Sequence, residues 1–448
     1  MPTTILILGA GKSATILIEY LQQKAVENNW YILLADGDEN VAIKKWNNAQ
    51  NGHAIGIDIL DTTKRHDLIS SSTVVISMLP AFLHTLVAED CLLLGKSLFT
   101  ASYVEEGMKK IENQIQEKGL LFLCEMGLDP GIDHMSAMEL IHRIQNQGGK
   151  ITSFASHCGG LIAPESDNNP WHYKISWNPR NIILAGKSGA IYLKNGKEVS
   201  IPYTQLFQGY PILNIDEIAP LTYYPNRNSL DYIQTYSLEG IQNFVRTTLR
   251  SVDFCAGWNA IVQLKLTDEA SFQLQEGTTI QQWFQNHLRA HSLEDTYDHL
   301  IQDPTLFSLL QFIDFKNDTI IPFTLTNSAH STNNASILQW ILEEKWKLEP
   351  SDKDMIVMQH QVEYSLQNET HSIESSFVLK GIDAIHTAMA STVGLPLAIS
   401  VCAYLKGEIT CTGLHIPTLP EIYEPVLKVL KEEGIVFTET HHIQLNLI

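Results

Sequence analysis

The chain has 448 residues, 44% of them hydrophobic and 18% charged, which is the composition of an ordinary globular protein. This length is more than one hydrophobic core usually fills, so two or three domains are expected. The formal net charge of −20 argues against nucleic acid and membrane surfaces as partners. No apolar run approaches the ~18 residues of a membrane span, and no signal peptide is recognised at the start.

Cysteine and histidine usage narrows the class further. The six cysteines are scattered and form no C-x-x-C pair, which fits reduced thiols in a cytoplasmic protein. The seventeen histidines show no metal-binding spacing, so no metal is expected.

The first fifteen residues predict a dinucleotide site. An apolar strand, Ile5 to Leu8, runs into a G-x-G-x-x-A turn and then an apolar helix. In such a turn the first glycine permits the tight bend, the second lets the backbone approach a pyrophosphate, and the alanine lets helix and strand pack closely. A glycine turn of another α/β protein is the alternative, but the order strand, turn, helix, strand favours the cofactor. The residues expected to bind it here are Gly9, Ala10, Gly11, Lys12, Ser13 and Ala14.

The residue after the second strand bears on the choice of cofactor. The apolar run Trp30 to Ala35 ends at Asp36, close to the spacing expected of an acid that binds a ribose 2′-hydroxyl. A carboxylate there would repel a 2′-phosphate, and Gly37-Asp38-Glu39 supplies no arginine to accept one. NAD is therefore favoured over NADP, while Lys44 and Lys45 keep NADP open.

Strand and helix patterns continue to alternate as far as residue 133. The further strands expected are Ala54 to Ile59, Thr73 to Leu79, Ser97 to Ala101 and Leu121 to Cys124, with a helix over Glu105 to Glu117. Six strands with short crossovers predict a Rossmann-type, doubly wound parallel sheet, whose ligands collect beyond the carboxyl ends of the strands. Those ends add four expected cofactor-binding residues: Asp58, Ser77, Leu79 and Pro80.

Beyond Lys150 the pattern changes to short β-like runs with turns between them. The runs are Ile151 to Ser156, Ile182 to Ala185, Ala190 to Lys194 and Glu198 to Ile201, which predict a mainly antiparallel sheet. Residues 265–350 have a helical pattern, and strand alternation returns at Val357 to Tyr364 and His371 to Lys380. Two helices close the chain, Met389 to Leu405, with Gly394 and Pro396 inside it, and Pro420 to Gly434.

The predicted fold class is therefore α/β, with a Rossmann-type sheet, a second α+β sheet domain and an inserted helical domain. The expected bounds are 1–133 plus 385–448 for the dinucleotide-binding domain and 134–264 plus 350–384 for the substrate-binding sheet domain. The helical insertion is expected at 265–349.

Arginines are few and concentrated. Four of the seven, Arg180, Arg227, Arg246 and Arg250, lie in the middle of the chain. Because a guanidinium matches a carboxylate bidentately, the set favours an anionic small substrate, although each arginine could instead neutralise a nearby acid. On a helix, Arg246 and Arg250 would share one face.

Several segments together resemble the saccharopine dehydrogenase (saccharopine reductase) family, in its L-glutamate-forming branch. They run in order from residue 5 to about 438 and are more specific than the glycine turn alone. The segments are Ser102-Tyr103-Val104, Glu125 to His134, His157 to Ser166, Asn168-Asn169-Pro170, Tyr173 to Trp177, Tyr224 to Arg227, Arg246 to Arg250, Met389 to Pro396 and Glu421 to Pro425.

The resemblance implies an oxidoreductase of lysine metabolism that acts on a CH–NH bond. Its reaction is the reversible interconversion of saccharopine with L-glutamate and L-2-aminoadipate 6-semialdehyde, in which hydride from a nicotinamide reduces an imine. The three carboxylates of saccharopine would explain the arginines. The substrate-binding residues implied are Ser102, Gly159, Gly160, Lys174, Arg227, Arg246 and Arg250.

The same resemblance implies three residues near the secondary amine. Asp129 would hold the amine or relay protons, but it could instead cap the helix that follows Pro130. Cys158 would donate hydrogen bonds or relay protons rather than act as a nucleophile, or it could be a small buried residue. Tyr103 would orient the substrate, because a phenol with a pKa of about 10 is a poor base.

The chain departs from the family pattern at the cofactor. NADP-using fungal members place an arginine just beyond the second strand, where this chain has Asp36-Gly37-Asp38. Two other functions remain as alternatives, a carboxynorspermidine dehydrogenase-like imine reductase and a non-catalytic NAD(P)-binding sensor. The resemblance also implies a homodimer.

Overall fold

The computed structural model of the chain describes residues 3–209, 211–215, 218–326 and 331–444. Within them the strands are, in chain order, β1 (Thr4–Leu8), β2 (Tyr31–Asp36), β3 (Gly52–Gly56), β4 (Val74–Ser77), β5 (Ser97–Thr100), β6 (Leu121–Leu123), β7 (Lys150–Ile162), β8 (Ala190–Lys194), β9 (Lys197–Ile201), β10 (Leu221–Pro225), β11 (Arg227–Asn228), β12 (Asn243–Ser251), β13 (Phe272–Gln273), β14 (Ser331–Thr332), β15 (Asp354–Leu366), β16 (Glu369–Lys380), β17 (Gly413–His415) and β18 (Thr438–Gln444).

The α-helices of the same residues are α1 (Thr15–Asn28), α2 (Glu39–Trp46), α3 (Thr62–Ser71), α4 (His84–Leu94), α5 (Glu106–Lys110), α6 (Glu112–Glu117), α7 (Ile132–Asn146), α8 (Pro179–Ile183), α9 (Asp231–Thr235), α10 (Val252–Gln263), α11 (Ile280–His291), α12 (Glu294–Leu300), α13 (Pro304–Ile313), α14 (Asn334–Lys345), α15 (Ala388–Leu405) and α16 (Pro420–Glu432).

The chain forms two compact units. The first comprises residues 1–151, 235–237 and 362–448, and the second comprises 152–234 and 238–361. These bounds differ from the three domains expected from the sequence, since the first unit takes in β16 and the helix α7. The ends of the expected first domain, 1–2 and 445–448, lie outside the described residues.

A parallel sheet of seven strands forms the centre of the first unit. Its order is β17-β6-β5-β4-β1-β2-β3, and each of its neighbouring strands runs parallel. The prediction of a doubly wound, Rossmann-type sheet is thus confirmed, and each of the six expected strands has a counterpart, although β3 covers Gly52–Gly56 where Ala54 to Ile59 was expected. The strand that sequence reasoning missed is β17, only three residues long, which pairs with β6 at the sheet edge.

Helix α15 is a long apolar helix of the first unit. It is 18 residues long with a mean hydropathy of 1.7, so the expectation that no apolar segment reaches a spanning length is wrong. However, 78% of it is buried, and it packs against α1 and α16. The close approach to α1 needs Gly394, where a Cβ atom would lie 2.8 Å from the backbone nitrogen of Leu17.

The sheet of the second unit is mixed: β8 pairs with β9 and with β12, and β10 pairs with β12, in the expected antiparallel sense, but other pairs do not. Its order is β11-β8-β12-β7-β15, with β10 paired to β12 and β9 paired to β8. Two of its pairs, β12 with β7 and β11 with β8, are parallel. The strand expected at Ile182 to Ala185 is also wrong, because the helix α8 covers Pro179–Ile183. Asn178 caps this helix by accepting a hydrogen bond from the backbone N–H of Arg180, with Pro179 in the first turn, a start signal that outweighs a short apolar run.

The helical segment expected at 265–349 shares a core with the preceding part of the second unit. Trp171, Trp258 and Trp346 are almost fully buried and lie in one hydrophobic cluster with residues of α11, α13 and α14. The indole rings of Trp171 and Trp346 meet edge to face at 5.2 Å. The segment is not wholly helical, since β13 and β14 form a two-stranded sheet.

Candidate active site

The glycine turn after β1 has the geometry that its sequence predicts. Gly9 has a φ of +105°, and its N–H donates to the carbonyl of Ala35 at 2.8 Å. A Cβ atom at Gly9 would lie 2.8 Å from the carbonyl oxygen of Met78, so the turn and the segment after β4 meet closely here. Only glycine fits both the positive φ and this contact.

The second glycine leaves room for a ligand. A Cβ atom at Gly11 would meet no protein atom within 4 Å. A 3-10 turn at Lys12–Ala14 leads into α1, whose first N–H groups receive no side-chain cap. Open space in front of uncapped N–H groups suits a pyrophosphate, so these residues fit a dinucleotide. The nicotinamide of that cofactor would supply hydride transfer.

Asp36 is tied to the backbone of its own site. Its Oδ2 accepts from the N–H of Ala10 at 2.6 Å, and its Oδ1 accepts from the N–H of Asp38 at 2.9 Å. Asp38 in turn caps α2. Lys45 lies nearby, and its Nζ donates to Gly11 O and Thr15 Oγ1 at 2.6 Å each. Burial lowers the pKa of Lys45 to about 8.

The four cofactor-binding residues expected at the ends of other strands, Asp58, Ser77, Leu79 and Pro80, differ in their exposure and contacts. Asp58 is exposed, and its Oδ1 accepts from the N–H of Leu60 at 2.9 Å. Ser77 is fully buried and hydrogen-bonds His84. Leu79 is half-buried, and the exposed Pro80 precedes a 3-10 turn. The backbone nitrogen of Leu79 would lie 3.4 Å from a Cβ atom at Gly9, so this segment and the glycine turn are neighbours.

The segment after β5 carries Ser102 and Tyr103, both half-buried. The Oγ of Ser102 lies 2.8 Å from Nε2 of His84. The carbonyl of Ser102 accepts from the N–H of Glu125 at 2.9 Å, which joins the ends of β5 and β6. In this way residues expected to bind cofactor and substrate come together at one edge of the sheet.

Asp129 lies half-buried in the loop between β6 and α7, and its peptide bond to Pro130 is cis. It does not cap the helix, because α7 begins at Ile132 and its N-cap is Gly131. The N–H of Gly131 donates instead to Oδ1 of Asp133 at 2.6 Å. The capping alternative for Asp129 is therefore excluded.

Two residues given no role by sequence reasoning hold this loop. His134 is fully buried, with Nε2 at 2.8 Å from Oε2 of Glu125 and Nδ1 at 2.5 Å from the hydroxyl of Tyr236. Glu125 has a φ of +59°, a value that a residue with a long side chain rarely adopts, and its Oε1 accepts from the N–H of Val104. The signal that could have found them is the pairing of a glutamate with a histidine inside one site-forming segment.

In the second unit, β7 carries the Cys158-Gly159-Gly160 segment beside β12. Cys158 is 6% exposed and stands opposite Thr248. A Cβ atom at Gly159 would lie 2.7 Å from the carbonyl oxygen of Leu249, so this glycine is required for strand packing. The carbonyl of Gly160 accepts from Nη1 of Arg250 at 3.5 Å.

Arg246 and Arg250 lie on strand β12 and not on a helix. Residues four apart in a strand also share a face, and both side chains are buried, at 3% and 4% exposure. The guanidinium of Arg246 stacks 4.2 Å from the ring of Tyr232. That of Arg250 lies 5.2 Å from the rings of Tyr173 and Phe254, and no carboxylate of the described residues pairs with it.

The other basic residues of the second unit are placed differently. Arg227 is exposed at β11 with a φ of +51°. Lys174 is buried, and its Nζ lies 2.6 Å from Oδ2 of Asp352. A substrate carboxylate that binds Lys174 would therefore share its ammonium group with Asp352. Arg180 pairs with Glu269 at 2.5 Å, which is the neutralising role weighed for each arginine from the sequence.

Comparison with known proteins assigns both parts of the chain to one family. Residues 5–123 match the saccharopine dehydrogenase NADP binding domain, and residues 127–435 match the saccharopine dehydrogenase C-terminal domain. The expectation of a nicotinamide dinucleotide site is thereby confirmed, with NADP as the cofactor that the family description names. A solved structure, the apo L-Glu-forming saccharopine dehydrogenase of Saccharomyces cerevisiae, superposes with a TM-score of 0.87 at 27% identity, covering 98% of this chain and 100% of that one.

Two curated relatives agree with this assignment. The chain is 30% identical to saccharopine dehydrogenase [NADP(+), L-glutamate-forming] of Schizosaccharomyces pombe, over 97% of this chain and 98% of the relative. It is also 30% identical to the mitochondrial alpha-aminoadipic semialdehyde synthase of Bos taurus. In that alignment the chain spans about half of the relative, 48% of its length. The chain belongs to the saccharopine dehydrogenase family.

Proposed function

We propose that this protein catalyses the reversible, NAD(P)-dependent interconversion of saccharopine with L-glutamate and L-2-aminoadipate 6-semialdehyde. The observation that carries the proposal is Arg250, a cation 4% exposed that no carboxylate of the described residues neutralises. Burying such a charge is costly unless a ligand pairs with it. Saccharopine, with three carboxylates, supplies that partner, and the relatives' names supply the reaction.

The chemistry balances as an amine oxidation followed by hydrolysis. In the direction of glutamate formation, the C–H bond beside the secondary amine breaks, its electron pair leaves as hydride to the oxidised nicotinamide, and the nitrogen releases its proton. A C=N bond forms, and water adds across it. Cleavage of the C–N bond then leaves the amine on glutamate and the aldehyde on the other product.

The chain's own residues bind, orient and move protons in this scheme. The carboxylate of Asp129 is assigned to the substrate amine, where it holds the cation or accepts the proton through water. Tyr103 orients the substrate, and Cys158 donates a hydrogen bond or relays a proton. Support for these roles comes from the half-buried position of Asp129 and Tyr103 and from the absence of a capping role for Asp129.

We also propose that NAD is preferred over NADP, although the fungal relatives are named for NADP. A ribose 2′-phosphate near Asp36 would be repelled by that carboxylate, and the residues that follow add two further acids, Asp38 and Glu39. Lys45, which could have countered them, is engaged with Gly11 and Thr15. With two acids on the loop after β2 and no arginine in it, a 2′-hydroxyl is the better match.

The test is the absorbance of the reduced nicotinamide when purified protein meets saccharopine, run with NAD and with NADP. Turnover that prefers NAD supports both proposals, and Asp36→Ser should then raise the relative use of NADP. Preference for NADP overturns the argument from Asp36 and leaves the reaction standing. Dinucleotide binding without turnover of saccharopine by either cofactor overturns the proposed reaction and favours the sensor.

The alternative function, a carboxynorspermidine dehydrogenase-like imine reductase, is distinguished from the proposed one by the substrate that the protein turns over. An enzyme that makes carboxynorspermidine joins a cationic diamine to aspartate semialdehyde and has less need of buried arginines. Turnover with that pair, and none with saccharopine, would establish it. The structural likeness to a homospermidine synthase of Legionella pneumophila, at 10% identity and a TM-score of 0.57, concerns the fold only.

A homodimer in the cytoplasm completes the proposal. The dimer rests on the family resemblance, and the location on the scattered free cysteines. Light scattering after size exclusion measures the first, since a mass near twice 50.3 kDa is expected. Cell fractionation measures the second, and recovery with mitochondria would contradict it.

A further inference from the structure

A fully buried histidine joins the cofactor-facing and substrate-facing parts of the first unit. His84, the first residue of α4, is 0% exposed. Its Nδ1 lies 2.8 Å from Oγ of Ser77 at the end of β4, and its Nε2 lies 2.8 Å from Oγ of Ser102 after β5. No motif in the sequence singles out His84, which begins a mostly apolar helix.

The imidazole is neutral at physiological pH. Burial lowers the pKa of His84 to about 4, and no charged neighbour contributes to the shift. A neutral imidazole has one N–H donor and one acceptor nitrogen. One of the two serine hydroxyls must therefore donate a hydrogen bond to the imidazole, and the other must accept one from it.

The surroundings of Ser77 decide which of the two serines is the donor. Ser77 is 0% exposed, and among the described residues its hydroxyl has His84 Nδ1 as its hydrogen-bond partner. A buried O–H left without an acceptor costs more than a hydroxyl oxygen left with a spare lone pair. Ser77 is therefore the donor to Nδ1, and the proton of His84 resides on Nε2. This tautomer is assigned from the hydrogen-bond pattern.

The assignment fixes the chemistry of Ser102. Its Oγ accepts from Nε2–H of His84, so its own O–H is turned away from the histidine and is free to donate. Hydroxyl donation suits a carboxylate, and the opposite tautomer would leave Ser102 with lone pairs that repel one. The backbone of Ser102 is held separately, because its carbonyl accepts from the N–H of Glu125 at 2.9 Å.

We propose that His84 is a positioning residue that, held in its Nε2–H tautomer by Ser77, makes Ser102 a hydrogen-bond donor to a carboxylate of the substrate. This rests on the proposed function for the identity of the substrate. The tautomer itself does not depend on it. Ser77, at the end of β4, thereby influences substrate affinity through two hydrogen bonds, its own to His84 and that of His84 to Ser102.

The first experiment reads the tautomer without substrate. Nitrogen-15 chemical shifts of histidine-labelled protein distinguish Nε2–H from Nδ1–H imidazoles, and His84→Gln identifies the resonance. The Nε2–H form is expected in the natural sequence, and Ser77→Ala should shift the population toward Nδ1–H. An Nδ1–H imidazole in the natural protein overturns the proposal, whether or not saccharopine is turned over.

The second experiment reads the consequence for the substrate. His84→Gln places an amide near the former Nε2 and should keep part of the donation to Ser102, whereas His84→Asn should lose it. We expect His84→Asn to raise KM for saccharopine about tenfold, the equivalent of one hydrogen bond, with His84→Gln in between. In a Ser102→Ala background neither substitution should raise KM by more than about twofold.

Controls separate this role from general damage. His66 lies on α3, is partly exposed and pairs with Asp90 at 2.9 Å, so His66→Gln should leave KM unchanged. The proposal is overturned if the rise in KM of the double variant His84→Asn/Ser102→Ala equals the product of the rises of the two single variants. His84 would then act independently of Ser102, through packing. If His84→Asn fails to fold, Ser77→Ala with and without Ser102→Ala gives the same comparison.

Discussion

Replacing Arg250 with methionine tests the assignment of this buried cation to substrate binding. Methionine keeps most of the unbranched stem and removes the charge. A charge-assisted hydrogen bond to a carboxylate contributes roughly 1.5–3 kcal/mol. At 1.36 kcal/mol per factor of ten, KM for saccharopine should rise about 10- to 150-fold. The affinity for the dinucleotide should not change, because Arg250 is not among the residues assigned to the dinucleotide.

The stability of the variant is expected to change little. Arg250 loses two ring contacts, at 5.2 Å from Tyr173 and from Phe254, which are worth about 0.5–2 kcal/mol each. It also loses the hydrogen bond to the carbonyl of Leu249 at 2.7 Å. Against this, the variant no longer buries an unneutralised charge, which costs several kcal/mol. The free energy of unfolding should therefore stay within about 1–2 kcal/mol of the natural value.

The assay combines steady-state kinetics with urea denaturation. Arg180→Met is the matched control, since Arg180 is paired with Glu269 at a partly exposed position and such pairs contribute about 0–1 kcal/mol. It should alter neither KM nor stability appreciably. An Arg250→Met variant that unfolds more easily while keeping its KM for saccharopine would refute the reasoning, because Arg250 would then be a structural residue.

Three further predictions concern the cofactor turn, the core and pH. Gly9→Ala should lower both the melting temperature and the affinity for the dinucleotide, because its Cβ would lie 2.8 Å from Met78 O. Gly11→Ala, whose Cβ would meet no protein atom within 4 Å, should lower the affinity at least tenfold and leave the melting temperature unchanged. An equal drop in melting temperature for the two variants would contradict this prediction. Trp346→Ala, at a 0% exposed site, should cost about 3–5 kcal/mol in urea unfolding, and a loss under 1 kcal/mol would contradict the shared core. Burial lowers the pKa of His84 to about 4. The unfolded chain therefore takes up this proton between pH 6.5 and 4 and the folded chain does not, so stability is complete above pH 6.5 and falls by about 3 kcal/mol on acidification to pH 4. His84→Gln should make that fall smaller, as measured by urea unfolding at both pH values, and an undiminished fall would exclude His84 as its source.

The features that could be predicted from the sequence are those that depend on residues adjacent in the chain. The strands β1, β2, β4 and β6 are short runs of buried apolar residues, the turn after β1 needs a glycine because Gly9 has a φ of +105°, and α15 is a predominantly apolar helix. Motifs that are contiguous in the chain identified the family for the same reason. Each of these features is specified by local sterics and by the burial of adjacent side chains.

The features that join distant segments of the chain could not be predicted and follow from the folded structure. The strand β17 has only three residues, too few to show the alternation of apolar and polar residues that predicts a strand. It forms because its backbone pairs with β6 at the edge of the sheet. The sequence left two roles open for each arginine, substrate binding or neutralisation of an acid. The structure separates them, because β12 buries Arg250 whereas Arg180 lies beside Glu269. His84 has no distinguishing neighbour in sequence, and its role arises because the ends of β4 and β5 place two serines on either side of its ring. Hydrogen bonds and desolvation depend on spatial neighbours, and a linear pattern does not contain them.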